Sequence, residues 1–197
     1  MTDLPYSHLT HLECSNCGAE HPAHQPATTC PACGKVLLAR YDLAAAARTM
    51  TPQALATRPW NLQRYTEILP IQDLQSAPSL GEGGSPLHAA PRLADAFGFD
   101  TLLIKDEALN PTGSFKARGL AMAVGRAREL GATTVALPSA GNAAAATAAY
   151  AARAGLRAVV AMPEDTPAAM LAECLAYGAE VFLVKGLIDD CGKVIRA

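Results

Sequence analysis

Asn110-Pro111-Thr112-Gly113-Ser114-Phe115-Lys116-Ala117-Arg118-Gly119, preceded by Thr101-Leu102-Leu103-Ile104-Lys105-Asp106-Glu107, is the stretch that decides the fold. Asn-Pro and Thr-Gly are turn chemistry, so the extended run 101–105 ends there. Ser114 stands where it would cap a helix whose apolar stripe is Ala117, Leu120, Ala121, Val124 and Ala127. Lys116 then falls in the first turn, where the helix dipole disfavours a cation and favours the neutral, nucleophilic amine. Most lysines are solvated surface residues, and position alone does not single this one out.

The wording of the stretch does. K-D-E-x-L-N-P-T-G-S-F-K-x-R-G, residues 105–119, resembles the cofactor-lysine motif of the fold-type II pyridoxal-phosphate enzymes, most closely that of the threonine synthases. The resemblance implies that Lys116 bonds covalently to pyridoxal 5'-phosphate and that Phe115 lies against it. Residues 81–197 resemble that family in almost every segment. The first part resembles the zinc-bearing N-terminus of some of its members.

The chain has 197 residues, enough for one or two small domains. Half of them are hydrophobic, but many are alanine, which favours helix and lets helices approach a sheet closely. A formal charge of −2 argues against an electrostatic nucleic-acid binder. No apolar run is long enough to span a bilayer, and the start lacks a basic and apolar leader, so the expectation is a cytoplasmic protein.

Cys14-Ser15-Asn16-Cys17-Gly18 and Cys30-Pro31-Ala32-Cys33-Gly34 are two C-x-x-C knuckles separated by twelve residues. That spacing puts four thiolates at the corners of a tetrahedron, the closed arrangement of structural zinc, with Gly18 and Gly34 permitting the tight turns. Two disulfides or redox dithiols are the competing readings; the glycine after each knuckle and the lack of a βαβ frame weigh against both. His21 and His24, between the knuckles, read as solvated loop residues. The ribbon is expected over residues 1–40, with residues 1–10 a loose arm.

A helical linker segment is expected over 41–80. Asp42 caps Leu43–Thr49, Thr51-Pro52 opens a second helix, and a third lies around Trp60–Leu69 before Pro70. Trp60 and Tyr65 read as packing residues, and Ser76-Ala77-Pro78 as a linker. The catalytic α/β part is expected over 81–197. Gly81-Glu82-Gly83-Gly84-Ser85-Pro86-Leu87 is the only glycine cluster and lacks the lysine of a Walker loop. It resembles the family's G-E-G-x-T-P-L segment near the active-site entrance, with Ser85 where threonine is usual, which implies that Ser85 contacts substrate.

Beyond the lysine the pattern alternates. Helix to about Leu130, strand Thr133–Leu137, helix Asn142–Ala154, strand Arg157–Met162, helix Pro167–Tyr177, strand Glu180–Val184 and a helix from about Leu187 predict an open parallel sheet with flanking helices. Ligands on such sheets sit at the carboxyl ends of strands. Pro138-Ser139-Ala140-Gly141-Asn142-Ala143 follows a strand and opens a helix, which makes either an ordinary capping turn or an anion cradle. It resembles the family's S-x-G-N loop. The resemblance implies that Ser139, Ala140, Gly141 and Ala143 hold the substrate carboxylate and that Asn142 bonds the cofactor's 3′ oxygen. Met162–Pro167 reads as a structural turn, and Cys174 and Cys191 as small apolar residues.

The family's cofactor-phosphate loop lies beyond the residues present, so the chain is expected to be the N-terminal half of a threonine-synthase-like enzyme, a homodimer when full-length. The implied reaction converts O-phosphohomoserine and water to threonine and phosphate. Cysteate synthase, threonine dehydratase and a non-catalytic fragment carrying a zinc-ribbon interaction module are the alternatives.

Overall fold

The computed structural model describes residues 7–74 and 77–196. Its order begins with three antiparallel strands, β1 (Leu9–Cys14), β2 (Glu20–Pro22) and β3 (Leu37–Tyr41), with β1 in the middle. Helices α1 (Leu43–Thr49) and α2 (Pro52–Thr57) follow, capped by Asp42 and Thr51 as their side chains predict: each oxygen accepts the amide three residues on. The expected third helix is a 3₁₀ segment, Leu62–Ile68, broken by non-helical geometry at Tyr65. Trp60 and Tyr65 are exposed rather than packed inside, Trp60 by 69%. The indole lies against the Arg64 guanidinium at 4.1 Å and donates to the Gly84 carbonyl at 3.0 Å. A cation and one hydrogen bond hold the ring flat on the surface, which apolar patterning does not reveal.

Residues 7–10 of the expected loose arm are held in place. The Ser7 hydroxyl donates to the Leu69 carbonyl, the His8 amide donates to Glu67, and Leu9 already begins β1. Residues 1–6 of that arm, and Ser76 of the expected linker, lie outside the described residues.

Strand β4 (Leu87–Ala89), α3 (Pro91–Phe97) and β5 (Leu103–Lys105) come next, β4 and β5 pairing antiparallel as a separate two-stranded sheet. The extended run before the lysine motif is therefore no part of the parallel sheet. That sheet has three strands in the order β6 (Thr134–Pro138), β7 (Arg157–Pro163), β8 (Glu180–Val184). Helices α4 (Lys116–Glu129), α5 (Asn142–Ala154), α6 (Ala168–Ala176) and α7 (Ile188–Arg196) alternate with it, so the predicted succession and its bounds hold to within a residue or two.

Helix α5 is the buried centre. One face, Ala146, Tyr150 and Ala154, meets Ala117, Ala121 and Val124 of α4 together with Ile71. The other, Ala144, Ala148 and Ala151, meets Val160 and Met162 of β7 and Cys174 of α6. Alanine on both faces lets α5 lie close to its neighbours, which accounts for the composition. Gly125 of α4 serves the same end: a Cβ there would collide with Ile71 Cδ1 and Pro78 Cδ. The segment expected as a linker is thus packed into the core through Ile71, 1% exposed. Cys174 and Cys191 are buried free thiols. Among the described residues no helix is long and apolar enough to cross a membrane.

Candidate functional site

Lys116 is the first residue of α4. Ser114 does not cap that helix by a hydrogen bond; its hydroxyl is buried without a partner, and Phe115 occupies the cap position with helical geometry. Thr112 takes a left-handed conformation, φ 58°, so the turn before the helix is already tight enough to start it without a side-chain cap. The Lys116 amine makes no hydrogen bond or ion pair among the described residues. It lies 4.7 Å from the centroid of the exposed Phe115 ring.

The loop Ser139–Ala143 joins the carboxyl end of β6 to the start of α5, and α5 packs against both α4 and the turn Pro111–Gly113. This packing ties the helix that follows the loop to the helix that Lys116 begins, more than twenty residues earlier in the sequence. Asn142 is exposed at the first helical position, where it and Ala143 carry amides with no intrahelical acceptor. Gly141 is the cap residue, and the space where its Cβ would stand is open. The Ser139 amide extends the parallel ladder by donating to Ala161 at 3.0 Å, and its hydroxyl accepts from the Gly141 amide at 3.4 Å. It orders the loop and leaves Ala140, Asn142 and Ala143 to offer free amides.

Ser85, expected at the substrate, is 5% exposed and belongs to a polar network behind the lysine turn. Its hydroxyl donates to Glu107 and accepts from Arg118 Nη2 at 3.0 Å. Arg118 clasps the same carboxylate through Nε at 2.5 Å and Nη2 at 2.7 Å, and Asn110 Nδ2 adds a bond at 3.0 Å. Asn110 Oδ1 accepts the Gly83 amide at 2.9 Å, which fastens the glycine cluster to the motif. The Arg118 guanidinium, then the Ser85 hydroxyl, hold the Glu107 carboxyl down to about 2. A second tie is fully buried: Tyr150 of α5 donates to Glu82 at 2.8 Å, and that carboxylate also accepts the Leu80 amide at 3.0 Å. Burial, then the Glu82 contact, push the Tyr150 phenol upward. No local pattern assigns a role to Glu82, Glu107, Asn110, Arg118 or Tyr150; the first four lie within or beside the two quoted motifs, where three charges and one amide near the lysine are the available signal.

The four knuckle cysteines come together at the end of the three-stranded sheet, their sulfurs all within 4.8 Å of one another. Cys14 and Cys33 sulfurs are 3.4 Å apart, and Cys17 lies 3.7 Å from both Cys30 and Cys33. Zinc with Zn–S bonds of about 2.3 Å needs tetrahedral edges of about 3.8 Å, so donor type and spacing fit that ion. Gly18 and Gly34 have φ of 69° and 70°, the left-handed turns the knuckles require. The Cys17 and Asn16 amides each face Cys14 Sγ at 3.5 Å and hold that thiol down to about 6, while the Cys14 and Cys33 sulfurs push the Cys17 thiol up. His21 is less detached than expected: it sits on β2, and its Nε2 is 3.5 Å from Cys30 Sγ. His24 is exposed.

Residues 78–197 match the family model described as pyridoxal-phosphate dependent enzyme. Threonine synthase from Methanosarcina acetivorans is 38% identical over 189 residues, 95% of this chain and 46% of that protein. Threonine synthase from Synechocystis is 44% identical over 154 residues, 76% of this chain and 40% of that one. A crystal structure of diaminopropionate ammonia lyase from Escherichia coli superposes with a TM-score of 0.55 at 25% identity, over 62% of this chain and 38% of that one. The chain spans less than half the length of these curated relatives. A lysine with no hydrogen bond or ion pair among the described residues, at the head of the helix on which α5 packs, sits inside the matched region, and the chain belongs to the pyridoxal-phosphate dependent enzyme family, in its threonine-synthase-like branch.

Proposed function

We propose that this chain carries the cofactor lysine and the substrate-carboxylate loop of a lyase that converts O-phosphohomoserine and water to threonine and phosphate. The observation that carries the reading is the unpaired Lys116 amine at the head of α4, with the open start of α5 packed beside that segment. Pyridoxal phosphate, when bound, supplies an electron sink for carbanion chemistry on an amino acid. Lys116 would hold it covalently, and the same amine would move protons at the α and β carbons of the substrate. Phe115 offers an exposed apolar ring beside that amine. The amides of Ala140, Asn142 and Ala143, with Gly141 giving close approach, hold the substrate carboxylate at the positive end of the α5 dipole. Asn142 is free to bond the cofactor's ring oxygen, and Ser139 sets the loop. Ser85 acts one step back, through Glu107 and Arg118.

Overall, phosphate leaves the γ carbon and water adds at the β carbon. Cys14, Cys17, Cys30 and Cys33 hold a structural zinc ion, since a closed four-thiolate set leaves no position for a water ligand. A homodimer in the reducing cytoplasm accords with that thiolate site. Borohydride reduction of the chain mixed with pyridoxal phosphate, followed by peptide mapping, tests the assignment. A stable label on Lys116 is expected; a label on another lysine overturns it.

A further inference from the structure

Apart from the Lys116 loop and the four thiols, the described residues form a polar cavity of 360 Å³ between the 3₁₀ segment and the flank of the lysine motif. Trp60, Arg64, Tyr65, Lys105, Glu107 and Arg118 line it. Three of these are cations, and the one acid is already spent. Both Glu107 oxygens are taken by the Ser85 hydroxyl, the Arg118 guanidinium and Asn110 Nδ2. That leaves two positive charges, Arg64 and Lys105, with no carboxylate partner among the described residues.

Arg64 is the more telling. It is 7% exposed, its guanidinium lies 4.1 Å from the Trp60 ring centroid and 5.6 Å from that of Tyr65, Nη2 donates to the Leu55 carbonyl, and Nε has no hydrogen-bond partner among the described residues. A guanidinium removed from water without a counter-ion is unfavourable, and an anion entering the cavity would relieve it. Lys105 spends one N–H on the Ser85 carbonyl at 2.6 Å, and Arg118 Nη1 makes no hydrogen bond among the described residues, so donors remain on two sides. Guanidinium and ammonium groups converging on one space are the usual recognition set for a phosphate group. At about 30 Å³ per water the space equals about a dozen waters, more than a bare phosphate requires.

We propose that this cavity binds a small phosphate-class oxyanion, either inorganic phosphate or the phosphate end of a small phosphomonoester. Neither Lys116 nor the loop Ser139–Ala143 lines the cavity, so the proposal stands or falls apart from the role given to that lysine. The structure also supplies the reporter: Trp60 is the only tryptophan in the chain.

Titrating the 197-residue chain with inorganic phosphate, with O-phosphoserine and with chloride at matched ionic strength, while following tryptophan fluorescence, tests it. A saturable change with phosphate and none with chloride is expected. Tighter binding of O-phosphoserine assigns the site to a phosphomonoester, and equal or weaker binding assigns it to the free ion. Lys105→Met, at an exposed strand position, weakens phosphate at least tenfold, on the order of one charge-assisted hydrogen bond, and Lys105→Arg restores it. Lys116→Ala leaves it unchanged. Trp60→Phe, followed by calorimetry, retains the heat of binding because the cations remain. No saturable response, an equal response to chloride, or unchanged affinity in Lys105→Met overturns the proposal.

Discussion

The four-thiol cluster and the Lys116 region are built on opposite plans. The cluster closes within twenty residues, Cys14 to Cys33, and its geometry is set by two local turns at Gly18 and Gly34. The lysine region is assembled over distance: α5, which follows the Ser139–Ala143 loop, packs on α4 and on the turn before it, and the glycine cluster is tied in by bonds spanning 22 to 68 residues. A site of the first kind depends on its own donors and little else. A site of the second kind depends on a frame, and damage to the frame at a distance should be felt there.

The largest expected effects fall on the groups that define each site. Lys116→Ala should abolish cofactor attachment and turnover while leaving the far-ultraviolet circular dichroism spectrum unchanged, because the half-exposed amine has no structural partner. Cys30→Ser should lose the metal outright, as measured by elemental analysis of reduced protein. Hydrogen exchange should then loosen β1 to β3 and spare α4 to α7. Exchange that quickens equally in β6 and β7 would break the contrast, by showing the cluster to be part of the frame.

Legibility in the sequence followed the same division. The cysteine knuckles can be read from spacing alone, since both thiols of each knuckle lie within one turn. The alternation of α4 to α7 with β6 to β8 was equally clear, because period and punctuation are local properties of each element. The surroundings of Ser85 are hidden in the sequence for the opposite reason. A hydroxyl in a glycine-rich loop reads as a ligand group, and only the approach of Glu107 and Arg118 from 22 and 33 residues away makes it a buried network member. Ser139's amide was spent on Ala161 through a strand pairing that no local pattern announces. The extended run at 101–105 is legible, but its antiparallel pairing with β4 is not, since β4 is three residues long and too short to show a period.

Glu107→Gln probes the frame directly and should act next in size. It leaves the Arg118 guanidinium without its carboxylate, at a cost of about 1.5–3 kcal/mol. The sign of the pH dependence follows from the lowered carboxyl. Glu107 sits at about 2 in the folded chain against an ordinary value near 4, so its contribution is complete above about pH 5. It is lost as pH falls toward about 2. Urea midpoints of the unaltered chain should therefore decline over that window, and Glu107→Gln should flatten part of the decline. Identical slopes in the two proteins would remove Glu107 from the frame.

Tyr150→Phe should give the smallest effect and the sharpest one. The phenol on α5 is wholly buried and donates to Glu82, itself wholly buried in the glycine cluster. Removing the hydroxyl keeps the ring against Ile71 and Ala121, so the apolar packing of α5 survives. The Glu82 oxygen concerned retains the Leu80 amide at 3.0 Å and the Ser79 hydroxyl at 3.3 Å. The loss is then one hydrogen bond, about 1 kcal/mol, read as a lower urea midpoint with an unchanged slope. Because this bond joins the helix that carries the Ser139–Ala143 loop to the segment fastened on Asn110, it should also weaken cofactor attachment at Lys116 severalfold. Zinc content should not move. A matching loss of zinc would mean that the two sites share one frame after all.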